Sequence, residues 1–134
     1  MIKVADGEKK FVSVGSLKIG GYVLIDGEPC QIKTTEKSKP GKHGSAKARI
    51  TATNIFTGQK RNLLKATSAE AEVPIIIKAS GQVVAVMGNQ VQIMNVENYE
   101  QYLSEKPKEF AVKGGDEVEY HQWGGQIRIV RKRG

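Results

Sequence analysis

Cysteine occurs once in the 134 residues, at Cys30, so no intrachain disulfide can brace the fold. Together with the two histidines, His43 and His121, it supplies too few ligands for a structural zinc centre and no thiol–imidazole pair at a recognisable spacing. Cys30 stands in the run Pro29-Cys30-Gln31-Ile32 and reads as a small buried hydrophobe. No apolar run approaches the ~18 residues that a membrane-crossing helix requires. The opening residues Met1-Ile2-Lys3-Val4-Ala5-Asp6 lack the apolar stretch of a secretory leader. Both absences lead us to expect a cytoplasmic chain with no membrane partner. Aromatic residues make up 6%, which leaves few rings for stacking on bases. Phe56, Tyr99, Tyr102 and Trp123 are expected in cores or at barrel rims. No nucleophile–base pair, paired carboxylates or metal-ligand cluster stands at a useful spacing, so we expect no enzyme and no cofactor.

What the sequence does have is positive charge, unevenly spread. The formal net charge is +7. Residues 1–72 carry 13 Lys and Arg against 7 Asp and Glu, and residues 73–134 carry 8 against 7. Within the first part, Lys37, Lys39, Lys42, Lys47 and Arg49 follow one another with no acid between them. Charge this local is the footprint expected for a polyanion such as RNA.

Strand signals run the length of the chain. Phe11-Val12-Ser13-Val14 and Tyr22-Val23-Leu24-Ile25 are short β-prone runs, and Asp26-Gly27 is a tight-turn dipeptide. Cys30, Ile32 and Thr34 alternate with Gln31, Lys33 and Thr35. Ala46, Ala48, Ile50 and Ala52 alternate with Lys47, Arg49, Thr51 and Thr53. A period of two predicts strands with one face buried and one wet. A further strand is expected over Lys60 to Leu64. At Glu72-Val73-Pro74 proline enforces an extended backbone and the charge balance changes. We therefore place a boundary there, giving domains 1–73 and 74–134. Beyond it, Gln82 to Met87 and Val91 to Val96 flank Gly88-Asn89 as a hairpin. The stretches Glu117 to Trp123 and Ile127 to Val130 flank Gly124-Gly125 as another. Tyr99, Tyr102 and Leu103 stand at helical spacing and predict a short helix over 97–105. Arg131-Lys132-Arg133 reads as a solvated tail. Many short strands with glycine-rich turns predict an all-β chain of two small barrels, each of about five strands.

Between the two alternating strands lies Ser38-Lys39-Pro40-Gly41-Lys42-His43-Gly44-Ser45. Eight residues exceed the usual two to five of a hairpin loop. Gly41 and Gly44 bracket Lys42 and His43, giving a lysine at a loop tip with a basic collar behind it. A phosphate-binding loop is a poorer fit, because His43 stands where the motif requires Ser or Thr. Nothing in the loop would orient His43 as a general base or join it on a metal.

Lys39-Pro40-Gly41-Lys42-His43-Gly44-Ser45-Ala46-Lys47 closely resembles the modification loop of the translation initiation factor 5A family, in its archaeal form. Val14-Gly15-Ser16-Leu17-Lys18-Ile19-Gly20, Ile25-Asp26-Gly27-Glu28-Pro29-Cys30, Glu72-Val73-Pro74-Ile75-Ile76 and Val91-Gln92-Ile93-Met94 resemble the same family, in the same order. Eukaryotic members carry threonine where Pro40 stands and histidine where Ser45 stands. The resemblance implies an N-terminal SH3-like barrel followed by a C-terminal OB-fold barrel. It implies that Lys42 receives a 4-aminobutyl group from spermidine, as deoxyhypusine or hypusine, through deoxyhypusine synthase with NAD. It also implies binding to the ribosome and promotion of peptide-bond formation at stalling sequences, with ribosomal RNA and peptidyl-tRNA as partners. Lys37, Lys39, Lys47 and Arg49 are then the expected RNA contacts. The competing reading is a general RNA-binding module whose lysine is never modified.

Overall fold

The alternating runs become strands. The computed structural model describes residues 7–38 and 46–133, and among them it has eleven strands, one 3-10 turn and no α-helix. Contacts divide the chain into two units, Glu8–Ile75 and a second formed by Ile76 onward together with the N-terminal residues up to Gly7. The units meet at 75/76, two residues beyond the 73/74 junction expected from the sequence. Pro74 closes the last strand of the first unit, where it pairs with Lys9.

The first unit has six strands: β1 (Lys9–Ser13), β2 (Tyr22–Ile25), β3 (Glu28–Ser38), β4 (Lys47–Asn54), β5 (Lys60–Ala66) and β6 (Glu70–Pro74). Strands β2-β3-β4-β5 form an antiparallel sheet and β1 pairs with β6. Asp26 and Gly27 both take positive φ, 52° and 78°, the type I′ geometry whose twist suits a two-residue hairpin. In β4 the expected alternation holds: Ala48, Ile50 and Ala52 are buried while Lys47 and Arg49 are exposed. They pack with Val14, Val23, Ile25, Cys30, Ile32 and Ala71 in one apolar core. Burial of each larger aliphatic side chain contributes about 1.5–3 kcal/mol.

In β3 the alternation breaks. Cys30 and Ile32 are buried, but the register shifts between Ile32 and Thr34, so Lys33 is the extra residue of a β-bulge. Thr34 is exposed and Thr35 takes the inward position opposite Ile50. Every later residue of β3 therefore lies on the face opposite to the one that simple alternation assigns it.

The second unit is one five-stranded antiparallel sheet, ordered β11-β10-β7-β8-β9. Its strands are β7 (Ile77–Met87), β8 (Gln90–Asn95), β9 (Gln101–Glu105), β10 (Glu117–Trp123) and β11 (Gln126–Arg133). Its core is Val83, Val91, Ile93, Val112, Val118, Tyr120 and Ile129. Two expectations are overturned here. The helix over 97–105 is instead a turn followed by β9. The Asn95 side chain accepts hydrogen bonds from the N–H groups of Glu97 (2.8 Å) and Asn98 (3.1 Å), and Tyr99 takes φ 62°, which no helix continues. Beyond it Tyr102 is half-buried, Leu103 exposed and Ser104 buried, a period of two. Nor is Arg131-Lys132-Arg133 a loose tail. It lies in β11 beside β10, where Arg131 and Arg133 pair with Glu119 (3.4 and 2.9 Å) and Lys132 with Asp116 (3.5 Å). Tyr99, in the turn between β8 and β9, is 68% exposed and so is no core residue.

Candidate functional site at the β3–β4 hairpin

Strands β3 and β4 pair from Cys30 opposite Asn54 to Ser38 opposite Lys47. They form the long arm from which the loop sequence departs and to which it returns. Lys42, with Lys39, Pro40, Gly41, His43, Gly44 and Ser45, lies outside the described residues. What can be built is the arm and its root.

At the end of the arm remote from that sequence, Glu28, Asn54 and Arg61 form a closed polar group. The Glu28 carboxylate accepts from Arg61 Nε at 2.9 Å through one oxygen and from Asn54 Nδ2 at 2.8 Å through the other. The Arg61 hydrogen bond, then the Asn54 one, hold the Glu28 carboxyl below its ordinary range, and the Arg61 guanidinium is raised in return. Asn54 is buried, and its Oδ1 also accepts the N–H groups of Phe56 (2.8 Å) and Thr57 (3.1 Å). This asparagine therefore ties the β4–β5 turn to the start of β3.

At the root of the loop sequence, the bulge at Lys33 decides which cations stand together. Opposite partners on an antiparallel pair share a face. Lys47 opposite Ser38 and Arg49 opposite Glu36 lie on the outer face. Lys37 opposite Ala48 lies on the other, the side on which Ala48 is buried. The collar read from the sequence is thus divided, with Lys47 and Arg49 together and Lys37 apart. Arg49 also has an acid directly across from it, which the linear charge run did not reveal.

Lys37 does not reach into solvent alone. Its Nζ donates to the Gly15 carbonyl at 3.0 Å. Gly15 N–H donates to the Thr67 carbonyl and Thr67 N–H to the Ala46 carbonyl, each at 2.9 Å. Gly15 and Thr67 carry no chemistry that a motif search would flag, and only the fold brings them to the root of the arm. A side chain on residue 15 would crowd this junction, since a Cβ there would lie 3.2 Å from the Thr67 carbonyl oxygen.

The other reactive groups stand elsewhere. Cys30 is fully buried, and burial followed by the nearby Glu28 charge pushes its thiol up to about 11, as suits a core residue. Among the described residues no three His, Cys, Asp or Glu side chains gather as a metal site would need. No helix among them is long and apolar enough to cross a membrane.

The chain thus falls in the class of two small all-β units in series, the first extended into a hairpin arm with Lys47 and Arg49 on one face. Comparison with known proteins gives the particular kind. The family described as "Translation initiation factor 5A-like, N-terminal" matches residues 8–69. Translation initiation factor 5A of Sulfurisphaera tokodaii is 48% identical over 126 residues, covering 91% of this chain and 96% of that protein. That of Thermococcus gammatolerans is 49% identical over 135 residues, covering 96% and 98%. The solved structure of "Eukaryotic translation initiation factor 5A from Methanococcus jannaschii" superposes with a TM-score of 0.87 at 45% identity, over 99% of both chains. A family protein from Naegleria fowleri gives 0.74 at 31% identity, over 93% of this chain and 98% of that one. The chain belongs to the translation initiation factor 5A family. The all-β class, an SH3-like barrel followed by an OB-fold barrel, is the one that the sequence resemblance implied.

Proposed function

We propose that this chain is a cytoplasmic translation factor that binds the ribosome and promotes peptide-bond formation at stalling sequences through a modified Lys42. The observation that carries this reading is the position of the lysine in a family member's sequence: it falls between Ser38 and Lys47, the last register pair of the longest hairpin arm of the first barrel. In the modification, deoxyhypusine synthase transfers the 4-aminobutyl group of spermidine to Lys42. A carbon–nitrogen bond forms at Nζ, the bond to spermidine's secondary nitrogen breaks, and 1,3-diaminopropane leaves. NAD is reduced and reoxidised in passing, so the transfer has no net redox change.

The added group extends the side chain by roughly 6 Å on ordinary bond lengths and gives it a second cationic nitrogen. Lys47 and Arg49 on the outer face of the arm supply phosphate contacts that hold the factor on ribosomal RNA. The extended Lys42 then limits the motion of the peptidyl-tRNA end. Full orientation of reactants is worth about 7–11 kcal/mol, of which this factor need supply a small part, the ribosome performing the reaction.

The test is mass spectrometry of the tryptic loop peptide from native cells, together with in vitro transfer from labelled spermidine. One aminobutyl group on Lys42, absent from Lys42→Arg, is expected, because a guanidinium stays protonated and offers no comparable nucleophile. An unmodified Lys42 in native protein, or equal labelling of both chains, would refute the reading and leave an RNA-binding module.

A further inference from the structure

The ring of contacts at the root of the hairpin has a feature that no single strand pairing explains. It starts on one leg of the arm, at Lys37 in β3. It passes through Gly15 in the 3-10 turn Val14–Ser16 and through Thr67 after β5, and it ends on the other leg at Ala46. Lys37 Nζ to Gly15 O, Gly15 N to Thr67 O and Thr67 N to Ala46 O span 3.0, 2.9 and 2.9 Å. The two legs are also joined directly by the Ser38–Lys47 pairing. The loop sequence therefore leaves and re-enters the fold through a closed loop of hydrogen bonds. Its side-chain members are Lys37 and the Ser38 hydroxyl, which donates to the Lys47 carbonyl at 3.4 Å; the rest is backbone.

We infer that Lys37 is a positioning residue, an ammonium that locks the outgoing leg of the loop to the 3-10 turn and through Thr67 to the returning leg, and so fixes the base from which Lys42 is delivered to the enzyme that modifies it. This role rests on the proposed modification of Lys42. It differs from the one that the charge run suggested for Lys37, a phosphate contact. Three observations favour the lock. Lys37 is on the face away from Lys47 and Arg49. Its nitrogen is already engaged by a carbonyl, and a charged donor makes one of the stronger kinds of hydrogen bond. Gly15, which receives it, sits where a Cβ would press on Thr67, 3.2 Å from its oxygen and 3.3 Å from its Cβ, so a side chain there would push Thr67 back by a few tenths of an ångström.

Three variants test it: Lys37→Met removes the donor, Lys37→Arg keeps one, and Gly15→Ala crowds the junction without changing any charge. The first readout is amide hydrogen exchange. In Lys37→Met and Gly15→Ala the Gly15 and Thr67 amides are expected to exchange about fivefold faster, the scale of one modest hydrogen bond. The Ile50 and Ala52 amides in β4 should stay unchanged, showing that the barrel is folded. Lys37→Arg should restore protection. The second readout is transfer by deoxyhypusine synthase with NAD and labelled spermidine, with the chain as the varied substrate. KM for the chain is expected to rise several-fold in Lys37→Met and Gly15→Ala, with kcat within about twofold, and to return in Lys37→Arg.

Unchanged exchange at Gly15 and Thr67 in Lys37→Met would overturn the lock. Faster exchange with an unchanged KM would reduce it to a structural bond and overturn the positioning role. A rise in KM for Lys37→Met but not for Gly15→Ala would assign the effect to charge and overturn it too. A wild-type chain that takes up no label at Lys42 refutes the underlying reading and removes the delivery role with it, while the exchange data still decide whether Lys37 locks the legs.

Discussion

Tyr99 in the second barrel occupies the backbone position that Gly58 occupies in the first. Each is the fifth residue of a turn that starts at an asparagine ending a strand, Asn95 in β8 and Asn54 in β4. Each N–H donates to that asparagine's carbonyl at 2.9 Å. In both turns the asparagine Oδ1 accepts the N–H groups two and three residues on. Both residues are left-handed, Gly58 at φ 79° and Tyr99 at φ 62°. Two barrels of unrelated sequence use one turn, filled by glycine in one and by an exposed tyrosine in the other.

The left-handed region costs a residue with a Cβ roughly 1–2 kcal/mol, and glycine's greater freedom in the unfolded chain offsets roughly half of that. We expect Tyr99→Gly to stabilise the second barrel by up to about 1 kcal/mol, since the exposed ring contributes little burial. Gly58→Ala should destabilise the first barrel by about 1 kcal/mol. Urea titration followed by the fluorescence of Trp123, the single tryptophan, reads the second barrel, and circular dichroism reads the whole chain. A Tyr99→Gly variant less stable than wild type would mean that the ring makes a contact that outweighs the strain.

Asn54 carries more than its turn. Replacing it with alanine strips the hydrogen bonds from two turn N–H groups and one from Glu28. A hydrogen bond contributes about 0.5–1.5 kcal/mol net, so the loss of three should cost Asn54→Ala about 2–4 kcal/mol by that measure. Asn54→Asp keeps the acceptor but sets a carboxylate beside Glu28, and should recover only part of the loss at pH 7 and more of it below pH 4. Equal stability of Asn54→Ala and wild type in chemical denaturation would remove this residue from the framework of the arm.

Cys30 gives a pH prediction. Its thiol ordinarily titrates near 9.0 and is raised to about 11 in the fold, first by burial. The folded state holds the proton more tightly than the unfolded one. The stability tied to this group is therefore complete below about pH 9 and lost as pH rises through about 11. Ellman's reagent at pH 8 should leave the native chain unlabelled over a period in which the urea-unfolded chain reacts fully. Rapid labelling of the native chain would show that the first barrel opens at Cys30.

The outer face of the arm is expected to govern docking. Removing Lys47 by Lys47→Gln should raise the factor concentration for half-maximal stimulation of proline-run translation. It should also lower the slope of log affinity against log salt by about 1, with the maximal rate little changed. Arg49→Gln should do less, because Glu36 lies across from Arg49, and Glu36→Gln should tighten binding. Unmodified Lys42 should show the opposite pattern, a lower maximal rate with binding retained. A reconstituted translation assay titrated to saturation at several salt concentrations separates the two. Full rate at saturation without the modification would leave Lys42 as one more anchoring charge.

Much of the fold could be read from local sequence, because the informative signals were local. The wet–dry alternation of β4 and the turn dipeptides Asp26-Gly27, Gly88-Asn89 and Gly124-Gly125 each act within a few residues. The misread features depend on partners far along the chain. The bulge at Lys33 follows from the pairing of β3 with β4 and moves Lys37 to the other face. The pairing of β1 with β6 joins Lys9 to Pro74 and leaves no local mark. The spacing of Tyr99, Tyr102 and Leu103 fits a helix as well as it fits a turn and a strand, and the side-chain bonds of Asn95 decide between them. For the site, the residues around Lys42 formed a recognisable motif. Gly15 and Thr67 became members only when the fold brought them to the root of the arm.

Gly7 belongs to the second barrel although the first barrel follows it in the chain. It packs so closely on Trp123 that a Cβ there would lie 2.1 Å from the indole. During synthesis the first barrel can close once Pro74 is free to meet Lys9, whereas the cover over Trp123 unites a residue made near the start with one made near the end. A second barrel excised at Ile76 lacks that cover. It should show a more solvent-exposed, red-shifted tryptophan emission, and a chain begun at Glu8 should show the same change, although the cut lies far from the indole in sequence.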